Sequence, residues 1–410
     1  MTCNQLLTRQ QYAYQPGRST VDAARDVVAR VLQHLDDGRQ VAAVFCDLSR
    51  AFEMIDHALL LDKLSRYGFT GSFYDTIASF LNNRRQCTCV HNSRSQMEPI
   101  GSCSVPQGSS TGNNLFLVLI NDITSACDDP EYVMFVDDTC IIVNADNIDQ
   151  LKSTLSMIML KMSRWFSANG MLLNVDKTNI IHFKLKNKDN TQLDISINNV
   201  TVPQVQETRY LGFIIDSGSG LTWAPHIDQI CNKVASACFA LSRLAPTLST
   251  NNLKKSYFGY FHSILIQGMD LWATSADRDR PFKLQKRALR IIARKTADHP
   301  ARDLLRHFKI LTLPSVYILT ACLYVRANKH NYSAYGIRSD RCRARNLLAP
   351  PRRRLAKARA SLSVFGPKIY NKIPIDIRNV GSDTIFKNKL KALLIKLACY
   401  DINELEIPKG

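Results

Sequence analysis

Three carboxylates in this chain stand where apolar runs end. Asp47 follows Val41-Ala42-Ala43-Val44-Phe45-Cys46, a continuous apolar stretch that predicts a buried strand. Asp137-Asp138 lies between Tyr132-Val133-Met134-Phe135-Val136 and Thr139-Cys140-Ile141-Ile142-Val143, two further strands that must turn at the acidic pair. A tight hairpin turn is served best by Gly or Asn, so two acids at the tip point to chemistry rather than turn geometry. Adjacent like charges repel, and a divalent cation is the simplest compensation. The alternative is a hydrated acidic surface turn.

The elements that must position these acids can be read along the chain. Ser19-Thr20 makes an N-cap for a helix whose Ala24, Val27, Val28, Val31, Leu32 and Leu35 share one face up to Gly38. After Asp47 a helix is expected to carry Ala51, Phe52, Ile55, Leu59, Leu60 and Leu64, and another spans residues 72–81. Residues 87–90 open a strand pair turning near Asn92-Ser93. Val105-Pro106-Gln107-Gly108-Ser109 is a loop by composition and feeds a helix over residues 113–123. A helix from Ile148 to Ala168 is stopped by Gly170. Strands follow over residues 171–173 and 179–183, then a hairpin closing at residues 209–215. From Ile227 the periods are helical almost throughout, interrupted by an extended, Arg-rich linker at residues 341–354.

The 410 residues are 45% hydrophobic, enough for two or three domains. No stretch approaches the roughly 18 apolar residues of a membrane span, and the first ten residues hold no signal-peptide core, so neither membrane nor secretion is expected. Twelve scattered cysteines fit buried thiols in an intracellular compartment, nuclear and cytoplasmic. Cys87 and Cys89 have no partner at zinc-finger spacing. The net charge of +18 is concentrated: residues 277–372 hold 24 Lys and Arg against 5 Asp and Glu. Such a field draws in polyanions, nucleic acid first among them.

Six ordered motifs resemble the reverse transcriptases of non-LTR retrotransposons, the LINE-type, jockey-like group in particular. Asp47-Leu48-Ser49-Arg50-Ala51-Phe52-Glu53-Met54-Ile55-Asp56-His57 resembles motif A, Ser104-Val105-Pro106-Gln107-Gly108-Ser109 motif B, and Phe135-Val136-Asp137-Asp138-Thr139 motif C. Pro16-Gly17-Arg18-Ser19-Thr20 is similar to a fingers motif, Leu173-Asn174 with Lys177-Thr178 to motif D, and Tyr210-Leu211-Gly212 to motif E.

The resemblance implies an α+β right-hand polymerase with an antiparallel palm sheet, partial fingers, a helical thumb and a basic helical extension. Residues 1–40 are then fingers, 41–215 palm with an insert at 58–103, 216–276 thumb-like, and 277–410 the nucleic-acid-binding extension. The implied reaction is RNA-templated DNA synthesis, in which dNTPs are added to a primer 3′-hydroxyl with two Mg²⁺ ions as cofactors. Asp47, Asp137, Asp138 and the Leu48 carbonyl are the implied metal ligands, and hard oxygen donors suit Mg²⁺ better than zinc.

By the same resemblance, Phe52 is the aromatic under the deoxyribose, against the plain alternative of a core Phe. Gln107 and Gly108 line the nascent base pair. Lys177 assists the leaving pyrophosphate, or is a solvated surface lysine. Arg18 faces template or triphosphate, or merely pairs with Asp22. Tyr210, Leu211 and Gly212 support the primer end, or form only a structural hairpin. Arg352, Arg353 and Arg354 contact RNA backbone, a role arginine's bidentate geometry favours. RNA template, DNA primer and dNTPs are the expected partners, with an element-encoded endonuclease or RNA-binding protein beside them.

The family's earlier Arg-Pro-Ile fingers segment and its endonuclease are not among these residues, so an N-terminally truncated enzyme is expected. Gln15 stands for the usual Arg, Ser104 for Gly, Asn113 for Pro, and Val136 for Ala. Val136 keeps β character and is expected to be harmless. The competing readings are an inactive nucleic-acid-binding remnant of such an element, and a metal-dependent nuclease, which leaves Phe52 and Gln107-Gly108 unexplained.

Overall fold

A computed structural model describes residues 6–106, 108–185, 191–218, 220–333 and 347–405. Gln107 and residues 341–346 of the linker expected at 341–354 therefore lie outside the described residues. The chain divides into two compact units, Met1–Gly212 with Ser217–Gly220, and Phe213–Asp216 with Leu221–Gly410.

The first unit opens with α1 (Thr20–Asp36), capped by the Ser19 hydroxyl, which accepts the Asp22 N–H. β1 (Gln40–Cys46) and β2 (Leu48–Ser49) flank Asp47. Asp56 caps α2 (His57–Arg66), and α3 (Gly71–Leu81) follows. Four short strands make two exposed pairs, β3 (Arg85–Gln86) with β6 (Glu98–Pro99) and β4 (Cys89–Val90) with β5 (Ser93–Arg94). Then come α4 (Ser110–Ile120), β7 (Glu131–Phe135), β8 (Asp138–Ala145) and α5 (Ile148–Ala168). The unit continues through β9 (Leu172–Leu173), β10 (Asn179–Phe183), β11 (Ser196–Ile197), β12 (Val200–Thr201) and β13 (Glu207–Tyr210).

The central sheet is antiparallel in the order β10-β1-β8-β7. Strand side chains alternate between faces. Ala42, Val44, Met134, Ile141 and Val143 join Phe116 and Leu119 of α4 and Leu155, Ile158 and Met162 of α5 in one core. The alternate residues Val41, Ala43, Val133 and Ile142 are buried too, and α1 packs on β1, β7 and β8. Burial on both faces is why β1 reads as an unbroken apolar run. The helix expected from Ala51 starts later: Arg50 takes a left-handed φ of 48°, residues 50–53 form turns, and α2 begins at His57. Motif B's helix also begins earlier than expected, at Ser110.

The second unit holds β14 (Phe213–Asp216), α6 (Ala224–Leu244) and α7 (Thr250–Ser256), which runs through a π-helical turn (Tyr257–His262) into α8 (Ser263–Leu265). Further on are α9 (Met269–Trp272), α10 (Asp279–Ala293), α11 (Ala301–Phe308) and α12 (Leu313–Ala327). The last four are α13 (Ala356–Ala360), α14 (Leu362–Lys372), α15 (Ile375–Arg378) and α16 (Asp383–Leu397). α10 packs on α6, and α12 on α14 and α16. Buried Gln285 ties α10 to the π-helical turn and to the start of α12, donating to Tyr257 Oη and the Leu311 carbonyl and accepting the Leu313 N–H. The boundary drawn at 276/277 thus falls inside a compact unit, between helices that pack on each other.

Candidate active site

The acids converge because of strand register. Cys46 of β1 lies opposite Thr139 of β8, so Asp47 and Asp138 each stand one residue beyond that pair on neighbouring strands. Phe135 pairs with Asp138, which leaves Val136-Asp137 as a two-residue turn. Like charges placed across a strand pair repel. Burial first, and then the Asp47 charge, raise the Asp137 carboxyl, opposed by backbone N–H donors at the turn. Asp138 is pushed up to about 6, by burial and then by the Asp137 and Asp47 charges. Solvent still reaches Asp138 at the tip, so its rise owes much to the two neighbouring carboxylates.

Hard oxygen donors crowded together in this way fit a divalent cation, which offsets their repulsion on binding. Among the described residues no three His, Cys, Asp or Glu side chains form a closed ligand cluster. The three aspartates are therefore coupled electrostatically without being drawn to metal-ligand spacing.

Asp47 is gripped from behind. Its N–H donates to Thr178 Oγ1 at 3.3 Å, and its carbonyl accepts the Asn174 N–H at 2.9 Å. Leu48 pairs with Leu173 in the β2–β9 ladder. The same Asn174–Thr178 loop carries Lys177, whose side chain is exposed and whose backbone N–H donates to Asn174 Oδ1. Sequence reasoning assigned a role to Lys177 and none to its motif neighbour Thr178, which is completely buried. A hydroxyl four residues after Asn174 in a tight loop was the available signal.

The loop at residues 104–109 is stitched to the turns after Asp47. Ser104 N–H donates to the Ile55 carbonyl and Val105 N–H to the Phe52 carbonyl. Ser104 has φ 88°, the left-handed region that a glycine fills without strain, in keeping with the Gly expected at this position. Its carbonyl accepts from His57 Nε2 at 2.7 Å and Arg84 Nη2 at 3.2 Å, and its hydroxyl accepts from Arg84 Nη2 at 2.7 Å. His57 is buried and holds this loop. Gly108 has φ 81°. Ser109 Oγ donates to the Pro106 carbonyl and accepts the Gly112 N–H, and a side chain at Gly112 would meet that carbonyl at 2.5 Å. Phe52 is half-buried and stacks on Phe116.

Three expectations are corrected. Arg18 neither pairs with Asp22, which binds Arg25, nor leaves its Nη1 for template or triphosphate: that nitrogen donates to the Arg9 and Gln11 carbonyls, and the guanidinium covers the Tyr12 ring. Tyr210 is 3% exposed, packs on Phe45 and donates to the Val133 carbonyl, so its ring offers nothing to a primer. The turn residues Leu211 and Gly212 both have positive φ, and Gly212 is exposed. Val136 does not continue the strand; it sits in the turn with φ 59°, where a β-branched residue is strained. In the second unit Arg352 and Arg354 are exposed and Arg353 is half-buried.

Residues 1–215 match the family described as reverse transcriptase (RNA-dependent DNA polymerase). The chain is similar to the probable RNA-directed DNA polymerase from transposon BS of Drosophila melanogaster, 26% identical over 304 residues, covering 71% of this chain and 33% of that protein. It is also similar to the probable RNA-directed DNA polymerase from transposon X-element of the same organism, 26% identical over 364 residues, covering 84% of this chain and 37% of that protein. The chain thus spans about a third of the length of these curated relatives. Among solved structures, apo telomerase from Candida tropicalis aligns over 79% of this chain and 57% of its own at 11% identity, with a TM-score of 0.39. The same enzyme in complex with a TWJ fragment of telomeric RNA aligns over 72% and 50% at 12% identity, with a TM-score of 0.37.

Proposed function

Because the chain belongs to the reverse transcriptase (RNA-dependent DNA polymerase) family, we propose that it is the RNA-directed DNA polymerase of a LINE-like, non-LTR retrotransposon, adding dNTPs to a primer on an RNA template. The observation that carries this reading is the register that sets Asp47 opposite Asp138 at the end of the palm sheet, beside Asp137. In the reaction the primer 3′-oxygen forms a bond to the α-phosphorus of the dNTP. The bond from that phosphorus to the bridging oxygen breaks, pyrophosphate leaves, and the hydroxyl proton passes to solvent.

Asp47, Asp137, Asp138 and the Leu48 carbonyl would hold two Mg²⁺ ions, which offset charge on the entering and leaving oxygens of such a displacement. The chain's own residues do the positioning. Gly108, where an added Cβ would meet nothing within 4 Å among the described residues beyond its chain neighbours, lets the nascent pair approach the loop backbone. Phe52 would close the space beside the sugar, and Lys177, on the loop that grips Asp47, would assist the leaving pyrophosphate. Gln107 remains the expected partner of the base pair. Leu211-Gly212, rather than Tyr210, would support the primer.

Arg352, Arg353 and Arg354 of the second unit would bind template phosphates, together with the basic excess around them. An endonuclease supplied by the same element is the natural companion, since the reaction needs a primer end. The remnant reading has less support, because all three carboxylates and the clamps on Asp47 and on the substrate loop are intact.

The test is extension of oligo(dT) on poly(rA) by the full chain with Mg²⁺ and labelled dTTP. Incorporation that Asp137→Ala abolishes supports the proposal. Tight RNA binding without any extension points instead to an inactive binding protein.

A further inference from the structure

Gln11 belongs to none of the motifs discussed above, yet this polar residue is 1% exposed. The segment around it runs along the outer edge of β7. Met134 N–H donates to the Gln10 carbonyl at 2.9 Å, and Tyr12 N–H donates to the Met134 carbonyl at 2.8 Å. Gln11 itself faces Met134 in a parallel bridge.

From that edge the side chain reaches the turn. Gln11 Oε1 accepts the Ala13 N–H at 2.9 Å and the Val136 N–H at 3.2 Å. Gln11 is in turn held by its own carbonyl, which accepts from Gln15 Nε2 at 2.6 Å and Arg18 Nη1 at 3.0 Å. Among the described residues Gln11 Nε2 has no hydrogen-bond partner, so the acceptor oxygen is the part of this amide in use.

Val136 is the residue that needs such support. It is the first of the two that join β7 to β8, and its φ of 59° is one a β-branched side chain resists. Strain of this kind amounts to about 1 to 3 kcal/mol and persists only when the surroundings over-determine the conformation. Relaxing the turn would move Asp137, the next residue, away from its place beside Asp138.

We propose that Gln11 is a positioning residue for the catalytic turn: its side-chain carbonyl holds Val136 in the left-handed conformation that presents Asp137. The catalytic consequence rests on the polymerase reading, whereas the hydrogen bond and its effect on the turn do not. Gln15 and Arg18 are the outer part of the same strut, which gives Arg18 a structural role in place of substrate contact.

The experiment combines Gln11→Leu, which removes the acceptor at similar volume, with Val136→Gly, which removes the strain the acceptor offsets. In Gln11→Leu, exchange of the Val136 amide with deuterated solvent should rise by about tenfold or more, as expected for lost local protection. Single-nucleotide kcat should fall about 10- to 100-fold with KM for dTTP little changed, the signature of a displaced catalytic group. Adding Val136→Gly should restore most of that kcat, because glycine adopts positive φ without help.

Unchanged Val136 exchange in Gln11→Leu, or a kcat loss that Val136→Gly leaves uncorrected, overturns the proposal. Should Gln11→Leu fail to fold by circular dichroism, Gln11→Met carries the same two predictions. If the unmodified chain makes no DNA, the polymerase reading fails, and the exchange comparison still decides the role of Gln11.

Discussion

Phe52 stacks its ring on Phe116, with centroids 4.8 Å apart and planes 25° from parallel. Phe116 is fully buried in α4, the helix that follows the loop at residues 104–109, so the ring proposed to lie beside the incoming sugar is fixed by the element that follows that loop. Phe52→Val should open space for a 2′-hydroxyl and raise ribonucleotide incorporation relative to dNTP. Losing the stack should also cost about 1 kcal/mol of stability. Competition of rNTP against dNTP in primer extension, with a denaturant melt alongside, checks both. Unaltered sugar selectivity removes Phe52 from the sugar site.

Ser104 keeps a glycine conformation at the cost of backbone strain, and Arg84 and His57 hold it there. Ser104→Gly should relieve roughly 1 kcal/mol of strain while giving up the Arg84 contact to the hydroxyl, for a net effect between neutral and mildly stabilising. Arg84→Ala should destabilise by about 1 to 2 kcal/mol, and by less in the Ser104→Gly background. Equal costs in the two backgrounds would show that the guanidinium does not support this loop.

Charge at the turn sets a pH dependence. Asp138 has a raised carboxyl, so its contribution to stability is fully present below the ordinary carboxylate value and is lost as pH rises through about 6. In cation-free protein Asp138→Asn should therefore stabilise at pH 7.5, by about 1 kcal/mol once the solvent reaching this side chain is allowed for, and should do nothing at pH 4. Mg²⁺-dependent synthesis should decline below about pH 6, where a proton competes for the same oxygen. Unfolding midpoints and extension rates over pH 4 to 8 decide this.

Glu131 behaves oppositely. The His34 hydrogen bond, then the Arg30 charge, hold its carboxyl below the usual range, tying β7 to α1. Its contribution is present above the ordinary glutamate value and is lost as pH falls through the lowered one. Glu131→Gln should thus destabilise at neutral pH and lose its effect in acid. An equal cost at pH 7 and pH 3 would contradict the ion-pair account.

Basic residues of the second unit should govern RNA affinity through salt. Replacing Arg352, Arg353 and Arg354 by Ala should lower the slope of log affinity against log salt by up to about 2, given roughly 0.7 per phosphate on a single strand. Point substitution is the sound test here, since deletion from residue 277 would strip α10 from α6. A slope that does not change places the RNA contact elsewhere.

Much of the first unit was legible because its signals are local. The helix expected over Ile148–Ala168 has those bounds, and Gly170 ends it with φ 66°. β1, β7, β8 and β10 fall on the apolar runs. Register was not legible: an apolar run says that β1 is buried, not that Cys46 faces Thr139. Phe52 was misplaced on a helix because the apolar spacing of residues 51–64 carries no trace of the left-handed Arg50. Tyr210 gave a signal that was overlooked, since Thr208 and Tyr210 alternate with exposed neighbours in β13 as inward-facing residues do. Gln11 was invisible, because its use depends on a turn some 125 residues away.

The central claim, that Asp47 and the Asp137-Asp138 turn act as one cation site, is tested most directly by single-turnover addition of dTMP to oligo(dT) on poly(rA) as Mg²⁺ is varied. Asp47→Asn and Asp137→Asn should each lower the maximal rate by about a thousandfold or more while RNA affinity stays within a few-fold of the unmodified chain. Retention of Mg²⁺-dependent addition at near-normal rate in Asp47→Asn would contradict the account.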